Sequence, residues 1–343
     1  MRLAAILGLL GLGLAQLAFP EAAPAQEGPS ATTDPALGIA LEGFAYPYPV
    51  RYLPVTRDGE ALRLAYMDVP ASGTANGRTA LLLHGRNFPS SYWQPVIRAL
   101  SAAGYRVVAV DQLGFGKSSK PVGAFSFDTM AAETVNLLDR LGLKRVDVVA
   151  HSMGGMLALR LARNFPDWVN SLVLEAPIGL EDYRFTVPPV SNAVLLKREG
   201  ELTADAYRRQ LMTSYALSLP ESAIEPFVAI RERVKDSGEY PRWLQSFVNS
   251  YQAIWGQPVV HEIPLVKAPT LFIMGGNDHN APGKPYAPAE LRAGMGENAR
   301  NARALAGKMA DGRVEVIDGV GHLVHMEATE RFNALALDFL NGH

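Results

Sequence analysis

The chain has 343 residues, 48% of them hydrophobic and 19% charged, with a net charge of −2. That size fits one large α/β domain with an insertion or two ordinary domains, and with no basic surplus nothing suggests a nucleic-acid partner. The absence of cysteine excludes disulfides, thiolate catalysis and cysteine metal sites together.

The first 25 residues read as a signal peptide. Arg2 gives a positive start, residues 3–15 an apolar run, and Ala23-Pro24-Ala25 a small-residue cleavage site. The apolar run falls short of the roughly 20 residues of a membrane span, and no cysteine is present for lipidation. The expectation is export to the periplasm or the medium, cleavage near Ala25, and no membrane insertion afterwards. Residues 26–48, rich in Pro, Ala, Gly and Thr, read as a flexible leader.

A β-hairpin opens the folded part, with residues 50–55 and 61–69 flanking an Asp58-Gly59 turn signal. Residues 79–83 are a short buried strand leading into His84-Gly85-Arg86-Asn87. A helix over 93–103 closes at Gly104, and a strand over 105–110 runs into Asp111, Gly114, Gly116 and Ser118. A helix over 127–141 then closes at Gly142. Residues 146–150 form the next strand, and the apolar spacing from Met153 onward predicts a helix. Between them stands Ala150-His151-Ser152-Met153-Gly154, a close relative of the G-x-S-x-G nucleophile elbow. A serine in that strained turn needs small neighbours, which Ala150 and Gly154 are. The free N–H groups of the helix start face whatever charge develops beside it.

Residues 171–175 make another strand, stopped by Pro177, and the alternation then fails. Residues 178–262 are helical in character, with aromatic residues scattered through them, Tyr215 and Trp243 among these. An insertion here sits over the strands' C-terminal ends, where ligands bind in open sheets; it reads as a helical lid. The core, begun at 49–177, resumes over 263–343. Residues 269–274 are a strand ending near Asp278, and a long Pro/Gly/Ala-rich loop and helical stretch reach Gly312. Residues 313–317 are the last strand, Gly321-His322 follows it, and 327–340 is the closing helix. Strands alternating with helices predict a mostly parallel sheet covered on both faces.

Ser152, Asp278 and His322 each follow a predicted strand, in the order Ser…Asp…His. With Leu83-His84-Gly85 and the Asp111–Ser118 glycine turn, these residues make the chain resemble the α/β-hydrolase superfamily over nearly all of its length past the leader. Within it the chain is similar to lid-bearing esterases, meta-cleavage-product (carbon–carbon bond) hydrolases and cofactor-free haloperoxidases. It departs from the pattern at Ala150, where glycine is usual, and over residues 279–312, which are longer than usual.

A serine hydroxyl needs an adjacent base. Here that is His322, with Asp278 holding its tautomer and stabilising the imidazolium. Glu175, at the end of the strand after the elbow helix, is the rival acid. His325 is the rival base, expected instead to cap or pack. The resemblance places the oxyanion donors at the backbone N–H groups of Arg86 and Met153. The Arg86 guanidinium and the Asn87 amide are candidates to hold a substrate carboxylate or hydroxyl. His84 and Asp111 are expected to brace loops, and His151 to pack under the elbow. No H-E-x-x-H or comparable cluster appears, so neither metal nor cofactor is expected. The expected activity is hydrolysis of carboxylic esters of a small, largely apolar substrate through an acyl-enzyme on Ser152. Carbon–carbon or amide cleavage by the same residues is the alternative, with a triad-retaining ligand-binding protein behind it.

Overall fold

The computed structural model describes residues 36–343; the expected signal peptide and the first residues of the leader lie outside them. The rest of the expected flexible leader is folded. Leu37, Ile39 and Leu41 are buried and pack with Ile230 and Val234. The segment makes two tight turns, Leu41 N–H donating to the Gly38 carbonyl at 2.9 Å and Phe44 N–H to the Leu41 carbonyl at 3.1 Å, and burial of its apolar side chains outweighs the loop-like composition around it.

The hairpin forms as expected. Strands β1 (Val50–Arg57) and β2 (Glu60–Val69) pair antiparallel around Asp58 and Gly59, whose φ values of 52° and 79° are both positive. A two-residue hairpin turn of this hand requires that. There follow β3 (Thr79–Leu83), α1 (Gln94–Ala102), β4 (Arg106–Asp111), α2 (Phe127–Arg140), β5 (Val146–His151), α3 (Met153–Asn164) and β6 (Val169–Glu175). Four helices then interrupt the alternation: α4 (Asn192–Glu201), α5 (Ala204–Ser214), α6 (Glu221–Lys235) and α7 (Tyr240–Gly256). The chain ends in β7 (Thr270–Gly275), α8 (Ala289–Arg292), α9 (Asn298–Ala306), β8 (Gly312–Ile317), α10 (Val324–Glu327) and α11 (Thr329–Asn341).

One eight-stranded sheet results, in the order β1-β2-β4-β3-β5-β6-β7-β8. It is antiparallel as far as β4 and parallel from there on. This is an α/β-hydrolase fold. Strands β3 and β5 are buried along their whole length, as central strands covered on both faces must be. Alternate residues feed opposite layers. Leu81, Leu83, Val148 and Ala150 pack with residues of α2 and α3, while Ala80, Leu82 and Val149 pack with residues of α1 and α11. Parallel strands end at the same edge, so the loops at 84–87, 152–153, 278–280 and 320–323 converge there.

The closing helix forms within two residues of the expected span, as α11, and a short helix not foreseen from the sequence, α10, precedes it, with Ala328 between them at φ −135° and ψ 52°. The carboxylate of Glu327 turns back at this point to accept the N–H groups of Gly321 and Ser218. Among the described residues no helix is long and apolar enough to cross a membrane.

Candidate active site

Strand β5 stops at Ser152, whose φ of 56° and ψ of −118° lie where side chains other than glycine are strained. The turn is held from both sides. Ser152 N–H donates to the carbonyl of Glu175 at 3.1 Å, and its own carbonyl accepts from Gly155 at 2.9 Å. Helix α3 passes so close to β3 that a Cβ at Gly154 would fall 2.3 Å from the Leu83 carbonyl oxygen. The sequence requirement for a small residue at that position therefore has a specific cause.

His322, in the loop after β8, meets Ser152 and Asp278 together. Its Nε2 is 2.9 Å from Ser152 Oγ and its Nδ1 3.0 Å from Asp278 Oδ2. The other Asp278 oxygen accepts the Asn280 N–H at 2.9 Å. A carboxylate on Nδ1 places the imidazole proton there and leaves the Nε2 lone pair to receive the serine proton. Ser152, Asp278 and His322 are 5%, 2% and 0% exposed, so bulk water does not screen the arrangement.

The rival residues pair with each other. Glu175 accepts from the backbone N–H of His325 at 2.8 Å and from its Nδ1 at 2.8 and 2.9 Å. The other ring nitrogen of His325 is buried without a hydrogen-bond partner among the described residues, and its ring lies 4.4 Å from that of Trp93. Neither side chain hydrogen-bonds to the Ser152 hydroxyl or the His322 ring.

His151 does more than the packing the sequence suggests. Gly85 N–H donates to the Tyr92 hydroxyl at 3.0 Å, Tyr92 donates to His151 Nδ1 at 2.9 Å, and His151 Nε2–H donates to the His322 carbonyl at 3.0 Å. Burial, and then the nearby His322 and His325 rings, hold the His151 pKa well below its ordinary value, so the ring is neutral. One chain of hydrogen bonds thus joins the loops of Gly85, Ser152 and His322. His84 and Asp111 brace loops as expected. His84 Nε2 accepts from Gln112 N–H at 3.0 Å, and Asp111 accepts from Ser90 N–H at 2.7 Å, Lys117 N–H at 2.8 Å and the Tyr46 hydroxyl at 2.6 Å.

Ser152 lines a cavity of about 740 Å³. Ile178, Leu195, Val248 and Ile254 give it apolar wall, and its cations are Arg86, Arg198, Arg209, Lys284 and Arg292, against the carboxylate of Glu199. Glu199 is itself paired with Arg231. The Arg86 guanidinium donates to Ser250 Oγ at 2.9 Å and to the Phe247 carbonyl at 3.1 Å. It lies over the Phe247 ring at 3.7 Å. No carboxylate among the described residues touches it, and burial pushes its pKa down, an effect Glu199 partly offsets. Its backbone N–H and that of Met153, the two oxyanion candidates, find no acceptor among the described residues. Asn87 also lines the cavity, but its Nδ2 donates to the Tyr215 hydroxyl at 3.1 Å; sequence reasoning had no way to see that contact. No group of residues fit to hold a metal ion occurs among the described residues. A serine hydroxyl on a histidine that is itself held by a carboxylate, beside one cavity, is an arrangement capable of acyl transfer to water.

The chain matches the model of the alpha/beta hydrolase family over residues 80–335. A 2-hydroxy-6-oxononadienedioate/2-hydroxy-6-oxononatrienedioate hydrolase of Pseudomonas putida is 31% identical over 292 residues, covering 83% of this chain and 94% of that protein. A 2-hydroxy-6-oxo-6-phenylhexa-2,4-dienoate hydrolase of Comamonas testosteroni is 27% identical over 270 residues, 77% of this chain and 88% of that one. Among solved structures, a probable hydrolytic enzyme from Pseudomonas aeruginosa PAO1 is 40% identical with a TM-score of 0.86, covering 89% of this chain and 98% of that chain.

Proposed function

The chain belongs to the alpha/beta hydrolase family, and on that premise we propose that it is a serine hydrolase cleaving a carbon–carbon bond in a carboxylate-bearing oxo acid. The observation that carries the reading is the cationic wall of the Ser152 cavity, above all Arg86, which no carboxylate among the described residues touches. A guanidinium so placed suits an anionic ligand group. The relatives at 31% and 27% identity are named for oxo-dienoates. Such a compound holds a ketone and carboxylate but no ester, so water can split it only between that carbonyl and its neighbouring carbon.

In this reading Ser152 Oγ attacks the ketone carbon as His322 takes its proton. The N–H groups of Arg86 and Met153 hold the oxyanion. The carbon–carbon bond then breaks with its electron pair on the departing carbon, and His322 returns the proton there. Water, deprotonated by His322 in its turn, releases the acid from Ser152. Asp278 keeps the imidazole oriented and its charge balanced throughout. We read α4–α7 as a lid over this cavity. We also place the protein outside the cytoplasm, on the amino-terminal pattern described above.

Ester hydrolysis is the second reading, favoured by the Ser152–His322 contact of 2.9 Å beside apolar wall, which suffices for an ester without any proton delivery to carbon. Initial rates on a synthetic 2-hydroxy-6-oxo-dienoate and on short p-nitrophenyl esters separate the two. The first reading expects kcat/KM to be higher on the oxo-dienoate. Turnover of the esters alone would replace it with the second.

A further inference from the structure

One residue of the inserted segment, Tyr215, touches both His322 and Asn87. Tyr215 follows α5, and its backbone carbonyl accepts the N–H groups of both His322 and Leu323, at 2.9 and 3.1 Å. Its ring stands edge-on to the His322 imidazole, with centroids 5.0 Å apart and planes at 85°. Its hydroxyl accepts from Asn87 Nδ2 at 3.1 Å, in the loop that carries the Arg86 N–H. Neighbouring contacts secure the junction. Ser218 donates through its N–H and its hydroxyl to one Glu327 oxygen, both at 2.8 Å, while Gly321 donates to the other at 3.0 Å. A Cβ on Gly321 would fall 2.8 Å from Leu217 and 2.9 Å from the Tyr215 carbonyl, so the two loops are in contact.

We infer that Tyr215 and Asn87 are positioning residues: their hydrogen bond sets the peptide that presents the Arg86 N–H, while the Tyr215 carbonyl sets His322. The inference rests on the proposed roles of Ser152, His322 and the Arg86 N–H. The Arg86 N–H belongs to the Gly85–Arg86 peptide, whose carbonyl lies 2.7 Å from His84 Nδ1; Asn87 follows Arg86 directly, so tethering its side-chain amide restrains the same short loop from its other end. An N–H donor works on a developing oxyanion only when aimed in advance. Because one residue of the insertion holds the base and steadies the oxyanion loop, the insertion is a structural member of the site. It is more than a cover. A group that aims a donor matters in the transition state, so its loss lowers kcat and leaves KM nearly unchanged. A group that binds substrate directly shifts KM instead.

The test is a double-mutant cycle with kcat and KM measured separately. The variants are Tyr215→Phe, which removes only the hydroxyl, Asn87→Ala, and the pair together. Each single variant is expected to lower kcat by about 10- to 100-fold, in the range a misplaced site group produces, with KM within threefold of wild type. The double variant is expected to be no slower than the slower single, because both changes delete one bond. The acid limb of the pH profile is expected to stay in place in Tyr215→Phe, since the carbonyl and ring at His322 remain. Additive losses in kcat, or a change confined to KM, overturn the inference and make Asn87 a substrate ligand. If Asn87→Ala does not fold, Asn87→Ser takes its place in the cycle. Ser152→Ala is run alongside. Full activity in that variant defeats the catalytic reading itself, whereas its inactivity with an additive cycle defeats only the positioning role.

Discussion

Arg86→Met separates the charge of the cavity from its catalytic geometry. The change removes the guanidinium but keeps the backbone N–H and most of the side chain's contact with the Phe247 ring, over which the cation lies at 3.7 Å. No buried group is orphaned, because Ser250 Oγ goes on donating to the Phe247 carbonyl at 2.6 Å. The cation–π contact contributes about 0.5–2 kcal/mol, and sulfur against an aromatic ring restores part of it. A melting temperature within a few degrees of wild type is therefore expected. A charge-assisted hydrogen bond from Arg86 to a substrate carboxylate is worth about 1.5–3 kcal/mol. At 1.36 kcal/mol per factor of ten, its loss lowers kcat/KM by roughly 10- to 150-fold. The assay compares an oxo acid with its methyl ester at the remote carboxylate. The acid is expected to fall by that factor and the neutral ester by less than threefold. Equal losses on the two would show that Arg86 acts through the shape of the site, and the anionic-substrate reasoning would fail.

Four further outcomes are expected. Asp278→Asn should lower kcat by about 10⁴-fold through the wrong histidine tautomer. Glu175→Gln should leave activity per folded molecule within tenfold but reduce stability by about 3–5 kcal/mol, as breaking a buried pair does; chemical denaturation and kinetics on both variants check the ranking. Burial lowers the pKa of His84 and His151 in the folded protein. Their contribution to stability is therefore present above the unfolded value of about 6.5 and is lost as pH falls from there toward the folded values, by up to about 1.4 kcal/mol per unit for each. A melting temperature unchanged from pH 7.5 to 5 would contradict this. Amino-terminal sequencing of the exported protein should begin near Gln26, and an intact Met1 on a membrane-bound protein would favour an uncleaved anchor instead.

The sheet and its order of motifs were legible because the central strands are short apolar runs bounded by glycine turns, and such runs admit little else. The convergence of Ser152, Asp278 and His322 was legible for a related reason: each stands just past a parallel strand, and parallel strands end on one edge. The choice between Asp278 and Glu175 was not available from spacing, since both follow strands. It depends on which histidine each meets, and Glu175 meets His325. The Leu37, Ile39 and Leu41 alternation was visible but short, and composition masked it. Nothing local marks Tyr215, whose importance lies in contacts to residues 87 and 322, far away along the chain. The break at Ala328 likewise answers to Glu327 reaching into another loop.

Ser152 sits at φ 56° and ψ −118°, a backbone state that costs about 1–3 kcal/mol for a residue with a side chain. Glycine would relieve it, and Ser152→Gly should melt higher than the wild type. Selection for heat resistance alone, with no demand on turnover, would therefore drift toward erasing the hydroxyl. A thermostabilisation campaign on this protein that screens only for folding will be misled at this one position, so every round needs a functional screen to keep the serine in place.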